Sequence, residues 1–168
     1  MACKKVRFTI DDKAIAQLEV IEIIEPLWWS VDTSGSEEKY ESDLKPFTLP
    51  QRYAFAIQWY TTEACSGGHY KFFRSSIGIV WEDALRGFEA IGATENMCIL
   101  KAAAARMGGT PSKIRDTRRE QLKQHNCDFG DLDALLKDNK REEAMMKLLR
   151  KYIIANASSF YFDGDIPL

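Results

Sequence analysis

The chain has no long apolar run. Nowhere do about 20 hydrophobic residues follow one another, the length a membrane helix needs, and a membrane span is thereby excluded. Met1-Ala2-Cys3-Lys4-Lys5 leads into no hydrophobic signal segment, so a cytoplasmic protein is expected. Cysteine is sparse and scattered. Cys3, Cys65, Cys98 and Cys127 form no C-x-x-C pair, which points to reduced thiols and away from disulfides or zinc. His69 and His125 are the only histidines, too few to complete a zinc set with cysteines so spaced. No G-x-x-x-x-G-K-S/T phosphate loop occurs, and Ser66, Ser75 and Ser76 lack a G-x-S-x-G elbow. No metal and no cofactor is expected.

A dominant sign of charge is missing too. The formal net charge is −2 and the pI is about 5.8, so direct DNA binding is not expected. The near balance conceals a segregation. From Asp11 to Asp43 lie ten acids and two bases, whereas from Lys101 to Lys123 lie seven bases and two acids. Such blocks either face solvent separately or dock, within one chain or across a homodimer. The candidate acidic surface is Asp32, Glu37, Glu38, Glu41 and Asp43. The basic segment, with Arg115, Arg118, Arg119 and Lys123, is of the kind that touches phosphates without reading bases.

What is present is an ordinary globular composition, 45% hydrophobic and 29% charged over 168 residues, enough for one domain with one core. Helical signals dominate, and the expected fold is an all-α bundle with one short N-terminal strand or extended arm. Thr48 and Gln51 fit a capping box around Leu49-Pro50. Tyr53, Ile57, Tyr60 and Ala64 follow at helical spacing. Gly67-Gly68 is expected to end that helix. Trp81, Ala84, Leu85, Phe88 and Ile91 mark a second helix, opened by Glu82-Asp83 and closed by Gly92. Together they predict a helical hairpin bent at the glycine pair.

Around this centre, Lys5–Ile10 alternates like a strand with no obvious partner, an arm or an intermolecular edge. Asp11-Asp12 open a helix through Ile15, Leu18 and Ile21 that Pro26 ends or kinks. Of Trp28 and Trp29, one is expected inside and one partly outside. Residues 32–45 read as a loop or short surface helix. Thr94 is expected to cap a helix to Met107, ended by Gly108-Gly109, and a basic helix runs from Ser112 to His125. Leu132, Leu135 and Leu136 mark a short helix. Glu142-Glu143 open the last long one, and Phe160-Tyr161-Phe162 fold back before a tail of residues 163–168.

Glu63, Gly67-Gly68, Tyr70, Phe72-Phe73, Ser76, Gly78-Ile79-Val80, Ala84-Leu85, Gly87-Phe88 and Ile91-Gly92 resemble the signature of a bacterial uncharacterised-domain family named after a DNA-mimic protein. The similarity spans Leu27 to Phe160, with residues 1–26 as an N-terminal arm and helix of the same helical domain. Ser66 and Ser75 stand where that signature carries Asn, His69 where it carries Phe, and Lys71 where it carries Gln. The resemblance implies a structural motif of Glu63, Gly67, Gly68, Phe72, Phe73, Gly78 and Gly92. It also implies a relationship in which acidic side chains imitate phosphates and occupy a DNA-binding protein.

No recognisable catalytic set accompanies these residues. Glu63 is expected to accept hydrogen bonds from turn N–H groups and hold the glycine break. The leading expectation is therefore a non-enzymatic module that binds another protein, through the acidic segment and a rim of Ser66, His69, Tyr70, Lys71 and Arg74. One alternative is a small-ligand binder or enzyme with a pocket at the Gly67-Gly68 turn, using Glu63, His69, Tyr70 and Lys71. Another is an immunity or defence protein that binds a partner toxin.

Overall fold

A computed structural model describes residues 5–167, so Cys3, expected as a reduced thiol, lies outside the described residues. Lys5–Ile10 forms the strand β1. Its partner corrects the expectation of an unpaired arm and a loose tail: Phe162–Pro167 is a strand, β2, antiparallel to β1 with Val6 opposite Ile166 and Ile10 opposite Phe162. The pairing has a physical reason. Ile10 and Ile166 share an inward face and are buried, while Arg7 on the other face lies 2.8 Å from Asp163.

The N-terminal helix comes in three pieces: α1 (Asp12–Gln17), α2 (Val20–Ile23) and α3 (Glu25–Ser30). Leu18 is extended and ends α1. Glu19 and Glu22 form a capping box that starts α2. Pro26 sits in the first turn of α3, where it opens a helix and does not end one. Trp28 stacks on Trp59 with ring centroids 3.9 Å apart and planes at 9°, and Trp29 is exposed. Ser36 caps α4 (Glu37–Leu44), whose Tyr40 is buried.

The long helix α5, Leu49–Arg74, is the element the rest packs around. Its capping box is present: Gln51 N–H donates to Thr48 Oγ1 at 3.3 Å and Thr48 N–H to Gln51 Oε1 at 2.9 Å. The first helical run stops at the glycine pair, as expected, and a second run follows directly across a sharp kink. Only Gly68 leaves helical geometry, at φ 76° and ψ 171°, a region open to glycine alone. One such residue redirects the axis, and the helix resumes at His69 to carry the aromatic run inward. The reversal comes later, through the 3-10 turn Ser76–Val80 that leads into α6, Trp81–Ile91. The hairpin is present, with its turn beyond Ser75 and not at the glycines. α6 buries Trp81, Ala84, Phe88 and Ile91 and ends at Gly92 in the left-handed conformation.

The chain continues as α7 (Thr94–Arg106), α8 (Arg115–Gln124), α9 (Gly130–Leu136) and α10 (Asn139–Ala155), then a 3-10 turn at Ala157–Phe160. Thr94 is the first helical residue of α7 and not its cap, a place held by Ala93. Gly108 and Gly109 end the helix at φ 91° and 97°. α10 starts earlier than Glu142, capped by Asp138. Among the described residues this is an all-α bundle of ten α-helices with one small two-stranded sheet. A single cluster of buried side chains runs from Ile10 to Phe160. No described helix is long and apolar enough to cross a membrane.

Candidate functional site

The kink at Gly68 exposes the N–H of His69, and a carboxylate from α9 takes it. Asp133 Oδ1 accepts from His69 N at 2.9 Å and lies 2.5 Å from His69 Nδ1. The other ring nitrogen, Nε2, is 2.8 Å from the Tyr60 hydroxyl. One tautomer satisfies every partner: Nδ1–H donates to Asp133, and Tyr60 O–H donates to Nε2. Burial holds the His69 pKa below its ordinary value, against the opposing pull of Asp133. Burial likewise pushes Tyr60 up. A Tyr–His–Asp relay has the parts of an acid–base set, but the void beside Tyr60 and Cys65 measures about 10 Å³, room for at most a single water.

Two sequence expectations are corrected here. His69 is fully buried, so it belongs to the interior and not to a binding rim. Among the described residues the acceptor that holds the break is Asp133, while Glu63 Oε2 sits 3.5 Å from Lys71 Nζ. A carboxylate brought in from α9 accepts this N–H, whereas Glu63, six residues back, is placed beside Lys71. Ser66 is exposed and donates to Glu63 O. Phe72, Phe73 and Gly78 are buried, Gly67 is exposed, and Gly92 closes α6.

The basic helix carries the next correction. Arg118 is buried and not on the surface where a phosphate could reach it. Its Nε donates to Phe73 O at 2.6 Å, Nη2 to Ser75 O at 2.7 Å, and Nη1 to Ser112 O and Lys113 O at 2.7 and 3.1 Å. It thus caps the last carbonyls of α5 at the negative end of the helix dipole. Burial, with Arg115 and Arg119 alongside, lowers its pKa to about 10, and it stays charged at neutral pH. Gly78 makes this possible, because a Cβ there would lie 2.5 Å from Arg118 Nε. Arg115 Nε and Arg119 Nε both donate to Arg74 O, at 3.4 and 3.2 Å. Tyr70, Lys71 and Arg74 on α5 then face Arg115 and Arg119 on α8 across an open cleft of about 410 Å³.

The acidic segment is partly neutralised within the chain. Glu41 receives both Nη groups of Arg52 at 2.7 Å. Lys113 lies 3.2 Å from Glu41 and 3.5 Å from Glu37, so the opposite blocks meet at this one lysine. Asp43 lies 2.5 Å from Lys39. The Arg52 and Lys113 cations hold the Glu41 carboxyl below its ordinary range. Behind Arg52, buried Asp83 accepts from the Tyr40 hydroxyl at 2.8 Å and lies 2.9 Å from Arg52 Nε. Asp32 caps its own turn through Ser34 and Gly35, and Glu38 is exposed.

Sequence reasoning missed Tyr60, Asp133, Arg118, Tyr40 and Asp83 as polar partners. Arg118 had a signal, since it lies one helical turn before buried Leu122 on the same face. Asp133 had none, because its partner is 64 positions away. Among the described residues no group of three or more His, Cys, Asp or Glu side chains is placed to hold a metal ion.

Comparison with curated proteins and with solved structures gave no match. Comparison with protein families matched residues 45–156, about two thirds of the chain, to the family described as DMP19-like protein. The match lies inside the span that the motif resemblance marks out and covers α5 with every element packed on its kink. The chain therefore belongs to the DMP19-like protein family, the DNA-mimic family whose signature its central stretch resembles.

Proposed function

We propose that this chain is a non-enzymatic, DNA-mimic-like module that binds the basic face of another protein. The observation that carries this reading is the set of carboxylates left without a cation. In the block from Asp11 to Asp43, no Lys or Arg lies within 4.0 Å of Asp11, Asp12, Glu19, Glu22, Glu25, Asp32 or Glu38 among the described residues. Glu37, Glu41 and Asp43 are held by Lys113, Arg52 and Lys39, so the acidic contact surface moves toward the N-terminal segment. Exposed Trp29 and Ile21 lie among these acids and supply the apolar anchor that charge alone lacks. Spaced carboxylates on a rigid helical scaffold present to a DNA-binding protein what a phosphate backbone presents.

The test is affinity capture with and without duplex DNA. Captured proteins are expected to be nucleic-acid binders that duplex DNA displaces. The triple change Glu19→Gln, Glu22→Gln, Glu25→Gln, which keeps the α2 capping groups, is expected to weaken capture. Partners that neither DNA nor the triple change affects would refute the reading.

A further inference from the structure

We propose that the cleft between the C-terminal turns of α5 and helix α8 binds the phosphate group of an organophosphate. This surface is distinct from the acidic one and independent of it. The cleft is lined by Tyr70, Lys71, Arg74, Ser75, Arg115 and Arg119, four cations and no carboxylate, around a volume of about 410 Å³. Past Tyr70, Arg74 and Arg119 lies a second open hollow of about 570 Å³, where Asp116 and Glu120 stand beside Lys123 and set the acidic limit of the cationic cleft.

Several arginines elsewhere are closely paired with carboxylates, whereas those gathered at this cleft are not. Arg52, Arg86, Arg106 and Arg141 each lie within 2.8 Å of a carboxylate. Among the described residues Arg74 and Arg115 have none within 4.0 Å, and Arg119 and Lys71 reach theirs only at 3.5 Å. Directly behind the cleft, Arg118 contacts carbonyl oxygens alone, one of them on Ser75. Its positive charge therefore adds to the cleft without a counter-ion.

The donors are also pre-oriented. Arg115 and Arg119 each direct Nε to Arg74 O, which orients the guanidinium forks and leaves the Nη groups of Arg115 and Nη2 of Arg119 for a ligand, while Arg119 Nη1 reaches Asp116 at 3.5 Å. Forks converging from two helices suit a tetrahedral oxyanion, which accepts from several directions, better than a planar carboxylate. Tyr70 is exposed at the rim and offers a ring face to a base or sugar on the phosphate.

Amide chemical shifts of the full chain during titration with inorganic phosphate, AMP and a glutamate-rich peptide test the assignment. AMP is expected to shift amides of residues 67–75 and 115–123. Lys71→Glu, on an exposed side chain, is expected to weaken AMP binding about tenfold, and Tyr70→Ala to weaken AMP but not inorganic phosphate. Equal affinity for inorganic phosphate and AMP would assign the free anion as the source of the group. No shifts at these amides, unchanged affinity in Lys71→Glu, or a glutamate peptide binding as tightly as AMP would overturn the proposal.

Discussion

At the scale of single residues, Gly68 and Asp133 hold the kink within α5, and Gly78 and Arg118 hold the turn between α5 and α6. Gly68 sits where a Cβ would be strained by φ and would also lie 2.4 Å from Asp133 Oδ2. Gly68→Ala is expected to cost about 1–3 kcal/mol in chemical denaturation. Gly78→Ala pushes against the buried Arg118 guanidinium, an overpacking expected to cost about 1–3 kcal/mol as well. His69 brings a pH dependence whose sign follows from burial. Its folded pKa is depressed, so the unfolded chain takes up the proton first. Stability is full above the unfolded value of about 6.5 and falls with acidification at up to about 1.4 kcal/mol per pH unit. Glu41, depressed by Arg52, joins only below about pH 4.3. Denaturation midpoints between pH 7.5 and 5.5 are expected to decline in the native chain and to stay flat in His69→Phe. The glycine requirement at 68 was legible in sequence, as was the aromatic core of Phe72 and Phe73. The partners of His69 and Arg118 were not, because a hydrogen bond across 64 or 45 positions leaves no local pattern.

Among the secondary-structure elements, periodicity served best where a helix has one wet face and one dry face. α6 is the clear case, with its acidic first turn, its buried stripe and left-handed Gly92 all readable in advance. Where several short elements share one apolar run, periodicity misled. Ile15, Leu18 and Ile21 fit one helix on paper, yet extended Leu18 breaks it and Ile21 faces solvent. Strand pairing was hidden for a different reason: β1 and β2 come from opposite ends of the chain, and β2 carries Gly164 and Pro167 among its six residues. That pair is held by few buried side chains, chiefly Ile10 and Ile166. Ile166→Ala is therefore expected to cost about 2–4 kcal/mol and to speed amide exchange along Val6–Ile10 before the helical core responds.

On the scale of the whole molecule, some charges are paired within the chain and others are not. Lys113 gathers Glu37, Glu41 and Glu82 within 3.8 Å and ties the loop before α8 to α4 and α6. Lys113→Ala is expected to lower stability by about 1 kcal/mol at low salt and by less at 1 M salt, as partly exposed pairs are screened. The surfaces left over are of opposite sign: an acidic N-terminal segment and the cationic cleft along α8. The segregation was visible in the sequence as two blocks. Which members neutralise each other was not, since Arg52, the main partner of Glu41, lies in neither block.

The face-to-face indoles of Trp28 and Trp59 join the N-terminal segment to the long central helix. Two such chromophores in van der Waals contact couple their electronic transitions, so the folded protein carries its own optical gauge. A partner that levers the acidic arm away from the bundle would dim that coupled signal in the near ultraviolet, whereas one that settles on the arm as it stands would leave it intact.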